Sequence, residues 1–141
     1  MKSPLRTPTD DPSKDVIPTG AFHFPVAEFK QTRHLGFLLL PEFTLLAFSA
    51  AVDPLRIANQ LAQKPLYRWV IFSDAGTPIS SSSGVDVSAH HAIDDLTKDI
   101  RLLVCAGNRG IDAATDHIIT KLRRHVRFGG MVGGICTGAS T

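Results

Sequence analysis

The chain has 141 residues, of which 43% are hydrophobic and 20% charged, and it carries a formal net charge of +2. That length suits one domain, and the composition is that of an ordinary globular chain rather than a fibrous or disordered one. The charge is too small by itself to argue for a nucleic-acid or membrane partner, and no apolar run approaches the ~18 residues of a membrane span. Lys2 and Arg6 are followed by no apolar core, so no secretory signal is read. Two cysteines, Cys105 and Cys136, make no disulfide framework and are expected as reduced thiols in a cytoplasmic protein.

Residues 1–30 carry five of the nine prolines among Thr, Asp, Ser and Lys. Such a stretch buries too little to offset its ordering entropy and is expected to be a disordered tail. The pattern changes at His34. The continuous apolar run HLGFLLL (34–40), ended by Pro41, suits a strand buried on both faces. In TLLAFSAAVDPLRIANQLAQ (44–63), Leu45, Phe48, Val52, Leu55, Ala58 and Ala62 recur at helical spacing. Asp53-Pro54 has the form of a cap followed by a first helical residue, so the stretch is either a short helix feeding a second one or a kinked helix.

LYRWVIFS (66–73) predicts a second strand, and PIS and VDVS around the loop Ser80–Gly84 predict a hairpin. IRLLVCAG (100–107) is a further strand. IDAATDHIITKLRRHV (111–126) is a helix, with Ile111, Ile118, Ile119, Leu122 and Val126 as its buried stripe and Gly129-Gly130 just past its end. MVGGI (131–135) is the last strand. Strands alternating with helices predict an α/β fold with a mostly parallel sheet and helices on both faces.

The stretch Gly134-Ile135-Cys136-Thr137-Gly138 follows that last strand. It fits a nucleophile elbow, a tight strand-to-helix turn in which glycines permit the strained backbone and close neighbours. The helix start that follows such a turn favours a thiolate. The plainer alternative is a free cysteine in a glycine-rich turn.

Four pieces, GFLLLPEFTLLAFSAAVDPLRIAN, LYRWVIFSDAGTPISSSSGVDV, RLLVCAGN and GGMVGGICTGA, occur in order with matching gaps over about residues 34–141. Together they resemble the class I glutamine amidotransferase-like (PfpI) superfamily, and more closely the N-terminal domain of GlxA-type AraC-family transcriptional regulators. The resemblance implies a flavodoxin-like three-layer sandwich, incomplete at its C-terminus and truncated after the elbow. In that family this domain senses a small molecule, often an amino-acid-derived or quaternary amine metabolite. A C-terminal pair of helix-turn-helix motifs binds DNA.

The implied partners are thus a small-molecule metabolite, a second copy in the full-length protein, and DNA only through a part this chain lacks. No cofactor, metal or membrane is implied. Enzymatic branches often place a histidine after the nucleophile, where this chain has Thr137. They also often place an acidic residue near the thiol, a position that falls at about Ala47 here. All six histidines precede the elbow. A thiol without a base is a poor covalent catalyst, so Cys136 is expected to be a degenerate elbow with no catalytic role.

Open α/β sheets bind ligands beyond the carboxyl ends of their strands. Cys136, Thr137, Gly107, Asn108, Glu42 and Phe43 all follow strand ends and are the candidate ligand-binding residues. Ala106-Gly107-Asn108 supplies N–H donors or an amide there, or is an ordinary strand-to-helix turn. Cys105 lies in an apolar run and is expected in the core. Asp53 is expected as an N-cap. Arg56 and Asn59 face either a pocket, a partner, or solvent. Lys121, Arg123, Arg124, His125 and Arg127 form a basic cluster that the dipole at a helix C-terminus explains without DNA. His90-His91 lacks further metal ligands.

A ligand-sensing domain of a transcription regulator without its DNA-binding part is therefore the leading expectation. A PfpI-like cysteine hydrolase or amidase and a non-functional gene remnant are the alternatives.

Overall fold

A computed structural model of the chain describes residues 28–140. The expected tail falls mostly on residues 1–27, outside the described residues; Glu28–Lys30 are exposed and in neither helix nor strand. Seven strands and two α-helices follow: β1 (Arg33–Leu39), α1 (Leu45–Ala62), β2 (Tyr67–Ser73), β3 (Ile79–Ser80), β4 (Asp86–Val87), β5 (His91–Ala92), β6 (Arg101–Cys105), α2 (Asp116–Arg127) and β7 (Val132–Ile135). Five strands form one sheet in the order β5-β2-β1-β6-β7, and β3 pairs with β4 in the expected antiparallel hairpin. Every pairing in the five-stranded sheet is parallel.

Parallel strands buried on both sides need apolar residues at successive positions, and β1 shows why. Phe37 and Leu39 join Phe43, Phe48 of α1, Ile79 and Cys105 in one core cluster. Leu38 and Leu40 join Val70, Phe72, Leu102 and Val104, with Ile118 and Leu122 of α2, in the other. The period-2 alternation of a strand thus splits one apolar run between two faces, with α1 on one and α2 on the other. The result is the three-layer α/β arrangement with a mostly parallel sheet.

Helix α1 is continuous through Pro54, so neither the two-helix arrangement nor an Asp53 cap is found. Asp53 and Pro54 both face solvent, where the carbonyl left without an N–H partner is hydrated and the ring costs least. Arg56 lies on the same exposed surface, with Nε 3.5 Å from Asp53 Oδ1 and Nη1 donating to Gln60 Oε1 at 3.2 Å.

Asn59 faces neither pocket, partner nor solvent, because it is buried and structural. Its amide donates to Tyr67 O at 2.8 Å and accepts from Tyr67 N at 2.9 Å, tying α1 to the first residue of β2. Replacing Asn59 with Leu leaves both backbone groups without that partner. Such a loss costs about 1–3 kcal/mol per group left unsatisfied. The urea midpoint of Asn59→Leu should fall while its m-value stays unchanged.

Helix α2 begins later than expected, because Gly110–Ala113 form a separate 3₁₀ turn and Thr115 caps the helix by accepting from Ile118 N at 3.2 Å. Ile111 and Val126 are therefore exposed rather than part of the buried stripe. His125 also leaves the basic cluster. It is buried, with Nε2 3.1 Å from Ile100 O, and since a carbonyl only accepts, Nε2 donates.

An exposed cluster joins the end of β2, the turn Ile93–Asp95 and the start of α2. His117 Nδ1 lies 2.6 Å from Asp74 Oδ1 and its Nε2 lies 3.3 Å from Asp94 Oδ1. Asp94 also pairs with Lys121, and Thr115 donates to Asp74 at 3.0 Å. Both imidazole nitrogens face carboxylates, so both donate and the ring is held as imidazolium. The hydrogen bond to Asp74, then that to Asp94, raises the His117 pKa. A raised folded pKa adds stability that is complete below the unfolded value of about 6.5 and fades as pH rises through the folded one. Wild-type Tm should therefore fall as pH rises above neutral, and His117→Gln should lack that part of the decline.

Candidate functional site

Three strand ends meet at one edge of the sheet. The chain order places β2 on one side of β1 and β6 with β7 on the other, so the winding reverses between β1 and β6. A crevice opens at that reversal beyond the carboxyl ends of the strands. Glu42 to Thr44 follow β1, Gly107 and Asn108 follow β6, and Cys136 and Thr137 follow β7.

Backbone hydrogen bonds hold these segments together. Leu40 N donates to Cys105 O at 3.0 Å and Thr44 N donates to Ala106 O at 3.2 Å. Phe43 bridges to both Gly107 and Ser81. Ser82 N donates to Phe43 O and Glu42 N to Ser80 O, each at 2.9 Å, so the serine loop of the β3–β4 hairpin borders the site. Gly107 is where β6 passes closest to the loop after β1, since a Cβ built there would lie 2.1 Å from Glu42 O.

Cys136 has φ +56, in the left-handed region, and opens a 3₁₀ turn over Cys136–Ser140 directly after β7. A non-glycine residue held there is strained and is displayed by its surroundings. Gly138 presses against the sheet behind it, with a built Cβ only 2.0 Å from Val104 O. This is the strand–turn geometry of an elbow, and it leaves the thiol exposed. Thr137 donates from Oγ1 to Gly107 O at 2.7 Å, joining the elbow to the end of β6.

The sequence reading missed Thr44. It occupies the N-cap position of α1 yet makes no side-chain cap bond, and its Oγ1 lies 3.5 Å from Cys136 Sγ. A threonine just ahead of an apolar-periodic stretch signals a cap, and nothing local announces that its hydroxyl is diverted to a thiol. That contact, then the Thr137 backbone N–H, lowers the Cys136 pKa below the ordinary thiol value. Cys105 is the opposite case: it is buried beneath the site, and desolvation pushes its pKa up to about 12.

Iodoacetamide should therefore alkylate Cys136 alone in the folded chain, with a rate midpoint at lower pH than a free thiol's. Thr44→Val should shift that midpoint upward. Mass spectrometry of labelled peptides across a pH series reads both.

The six candidate residues do not all offer side chains. Glu42 (φ +60), Asn108, Cys136 and Thr137 are exposed. Phe43 is fully buried against Phe48, with ring centroids 5.8 Å apart at 88°, and Gly107 is also buried. Both shape the site through their backbone. Ile135 packs against the Phe37–Cys105 cluster, while Met131 and Val132, at the other end of β7, are exposed. Among the described residues no group of three His, Cys, Asp or Glu is arranged to hold a metal ion. His90 is engaged locally, its Nδ1 accepting from Ile71 N at 2.9 Å.

A parallel α/β sheet with helices on both faces and a cysteine elbow at its reversal point is thus the framework of the site. No family model matches the chain. It is 41% identical to the HTH-type transcriptional regulator CdhR of Pseudomonas aeruginosa over 103 residues, which is 73% of this chain and 30% of that protein. It is 37% identical to the HTH-type transcriptional regulator GlxA of Rhizobium meliloti over 114 residues, 80% of this chain and 35% of that protein. A crystal structure of an AraC family transcriptional regulator from Pseudomonas putida matches with a TM-score of 0.61 at 25% identity, covering 72% of this chain and 55% of that one. A ThiJ/PfpI family protein from Pseudomonas syringae shares the fold at a TM-score of 0.63 and 15% identity, covering 84% of this chain and 51% of that one.

The chain is a homologue of the GlxA- and CdhR-type HTH transcriptional regulators, and its fold is that of the AraC-family and ThiJ/PfpI structures it matches. It spans about a third of the length of those relatives. No described helix is long and apolar enough to cross a membrane.

Proposed function

We propose that this chain is the small-molecule-sensing part of an AraC-type transcriptional regulator, and that the crevice beside Cys136 holds the ligand. Glu42, Asn108, Thr137 and Cys136 offer side chains to it, Phe43 and Gly107 offer backbone, and Thr44 completes the wall. The carrying observation is the partner of the thiol: Cys136 meets the neutral hydroxyl of Thr44 at 3.5 Å. A hydroxyl polarises a thiol without accepting its proton at neutral pH, and the neighbouring Thr137, which donates to Gly107 O, also offers only a neutral hydroxyl. That pairing supports binding over turnover. DNA contact and pairing with a second copy belong to the whole regulator, acting in the cytoplasm.

The test is a thermal-shift panel of small amino-acid-derived and quaternary amine metabolites. One chemical class should raise Tm saturably, as ligand linkage requires. Cys136→Ser should keep that shift, and Glu42→Gln with Asn108→Ala should remove it. Duplex DNA should not be retarded by this chain. The lowered Cys136 pKa favours one second reading, a PfpI-like cysteine hydrolase or amidase. Turnover of an amide or glyoxal that disappears in Cys136→Ser would establish that reading and overturn the sensor.

A further inference from the structure

We propose that a second binding site, for a small organic anion with an apolar body, lies along the α2 face of the sheet, apart from the Cys136 crevice. A cavity of about 490 Å³ opens between the segment after β5 and the C-terminal half of α2. Pockets for small molecules span about 300–1,000 Å³. His125 forms its inner wall and is fixed there by its bond to Ile100 O, just ahead of β6. Cys136 follows β7 beyond the far end of β6, whose five residues at ~3.3 Å each set it roughly 15 Å from the His125 wall.

The lining has two chemical halves. Ile93, Leu96 and Phe128 give an apolar surface, and Phe128 is largely exposed. Lys98, Lys121 and Arg124 bring three cations against one lining carboxylate, Asp94. Asp94 is already engaged by Lys121 and by His117. Asp99 lies within electrostatic reach of Lys98, so the positive excess over the cavity rests chiefly on Arg124. The Arg124 guanidinium lies 5.8 Å from the Phe128 ring centroid, so the aromatic face orients the planar fork beside the apolar wall. A guanidinium fork matches a carboxylate, sulfonate or phosphate in two parallel hydrogen bonds.

An apolar wall on one side and an oriented fork on the other select a molecule with both features, an aryl or alkyl body bearing one anionic group. A basic helix end that served only to complement the dipole would need neither the cavity nor the apolar lining. The site is independent of the Cys136 crevice, so either one stands without the other.

The probe is anilinonaphthalene sulfonate, an aromatic sulfonate whose fluorescence rises on burial, titrated against the full chain. Saturable binding at one site is expected. Lys98→Gln with Arg124→Gln should weaken it about tenfold, corresponding to ~1.4 kcal/mol. Arg124→Glu should abolish it, and Asp94→Asn should tighten it. Cys136→Ser should leave it unchanged, and uncharged N-phenylnaphthylamine should not displace it. Lys98 and Arg124 are surface positions, and matching melting curves show that each variant is folded. Equal affinity in the double variant, non-saturating uptake, or equal displacement by the uncharged analogue would each overturn the proposal. Displacement of the probe by duplex DNA with a steep salt dependence would also overturn it and make the patch a nucleic-acid contact.

Discussion

Phe43→Ala should be the most damaging single truncation near the site, costing about 3–5 kcal/mol, the range for an aromatic deleted from a packed core. Phe43 is fully buried and makes edge contact with Phe48, which itself meets Phe37 at 5.6 Å between centroids. The surrounding strands are hydrogen-bonded on both sides, so the space left behind cannot collapse easily. A domain of this size has about 5–15 kcal/mol of stability in all, so the variant should sit close to its unfolding threshold. Urea denaturation followed by circular dichroism measures the loss. Leu46→Ala, one helical turn away on α1 but 78% exposed, should stay within about 0.5 kcal/mol of wild type. A Phe43→Ala midpoint equal to that of Leu46→Ala would mean that the Phe37–Phe43–Phe48 group is not a core.

Gly107→Ala should follow closely, and it should affect the site more directly. The added methyl would stand 2.1 Å from Glu42 O and 2.9 Å from Thr44 N, both of them backbone atoms that no rotamer change can move aside. The loop after β1 must move away from the end of β6. Overpacking of this kind costs about 1–3 kcal/mol and occasionally more. Displacing that loop also carries Thr44 away from Cys136 and strains the Thr137–Gly107 bond. Gly107→Ala should therefore lose stability and, in the same molecule, raise the pH midpoint of Cys136 alkylation towards that of an ordinary thiol. Thr44→Val should raise the midpoint with little loss of stability. A stability loss in Gly107→Ala with an unchanged alkylation profile would mean that the two segments are not coupled.

Much of the architecture is legible along the chain. Runs such as Phe37–Leu40 and Leu102–Cys105 are too continuous for a strand with one wet face, so they announce a buried parallel sheet before any pairing is known. The glycine-bounded Cys136 announces its own turn, because few other residue types tolerate neighbours as close as those at Gly138. The short β5 strand and the 3₁₀ turns escape such a reading, since segments of two to five residues carry no period.

The helix interiors misled for a different reason. Asp53-Pro54 has the composition of a helix start, but the rest of the 18-residue helix Leu45–Ala62 and the packing of Phe48 and Ala62 outweigh that local signal. Ile111 and Val126 continue an apolar spacing, yet a 3₁₀ turn ahead of Thr115 rotates Ile111 out of register with the helix that follows.

The sequence by itself determined the α/β class, the burial of β1 and β6, the antiparallel hairpin and the elbow at Cys136. All of these depend on periodicities and turn preferences that act over a few residues. Only the tertiary structure decided that the Thr44 hydroxyl, 92 residues away, meets the thiol. It also decided that Asn59 fastens β2, that His117 sits between Asp74 and Asp94, that Phe43 turns inward, and that His125 walls a cavity instead of joining a basic face. A polar side chain offers the same donors and acceptors wherever it stands. Which of them it uses is settled by the groups that packing brings within about 3 Å, and those come from distant parts of the chain.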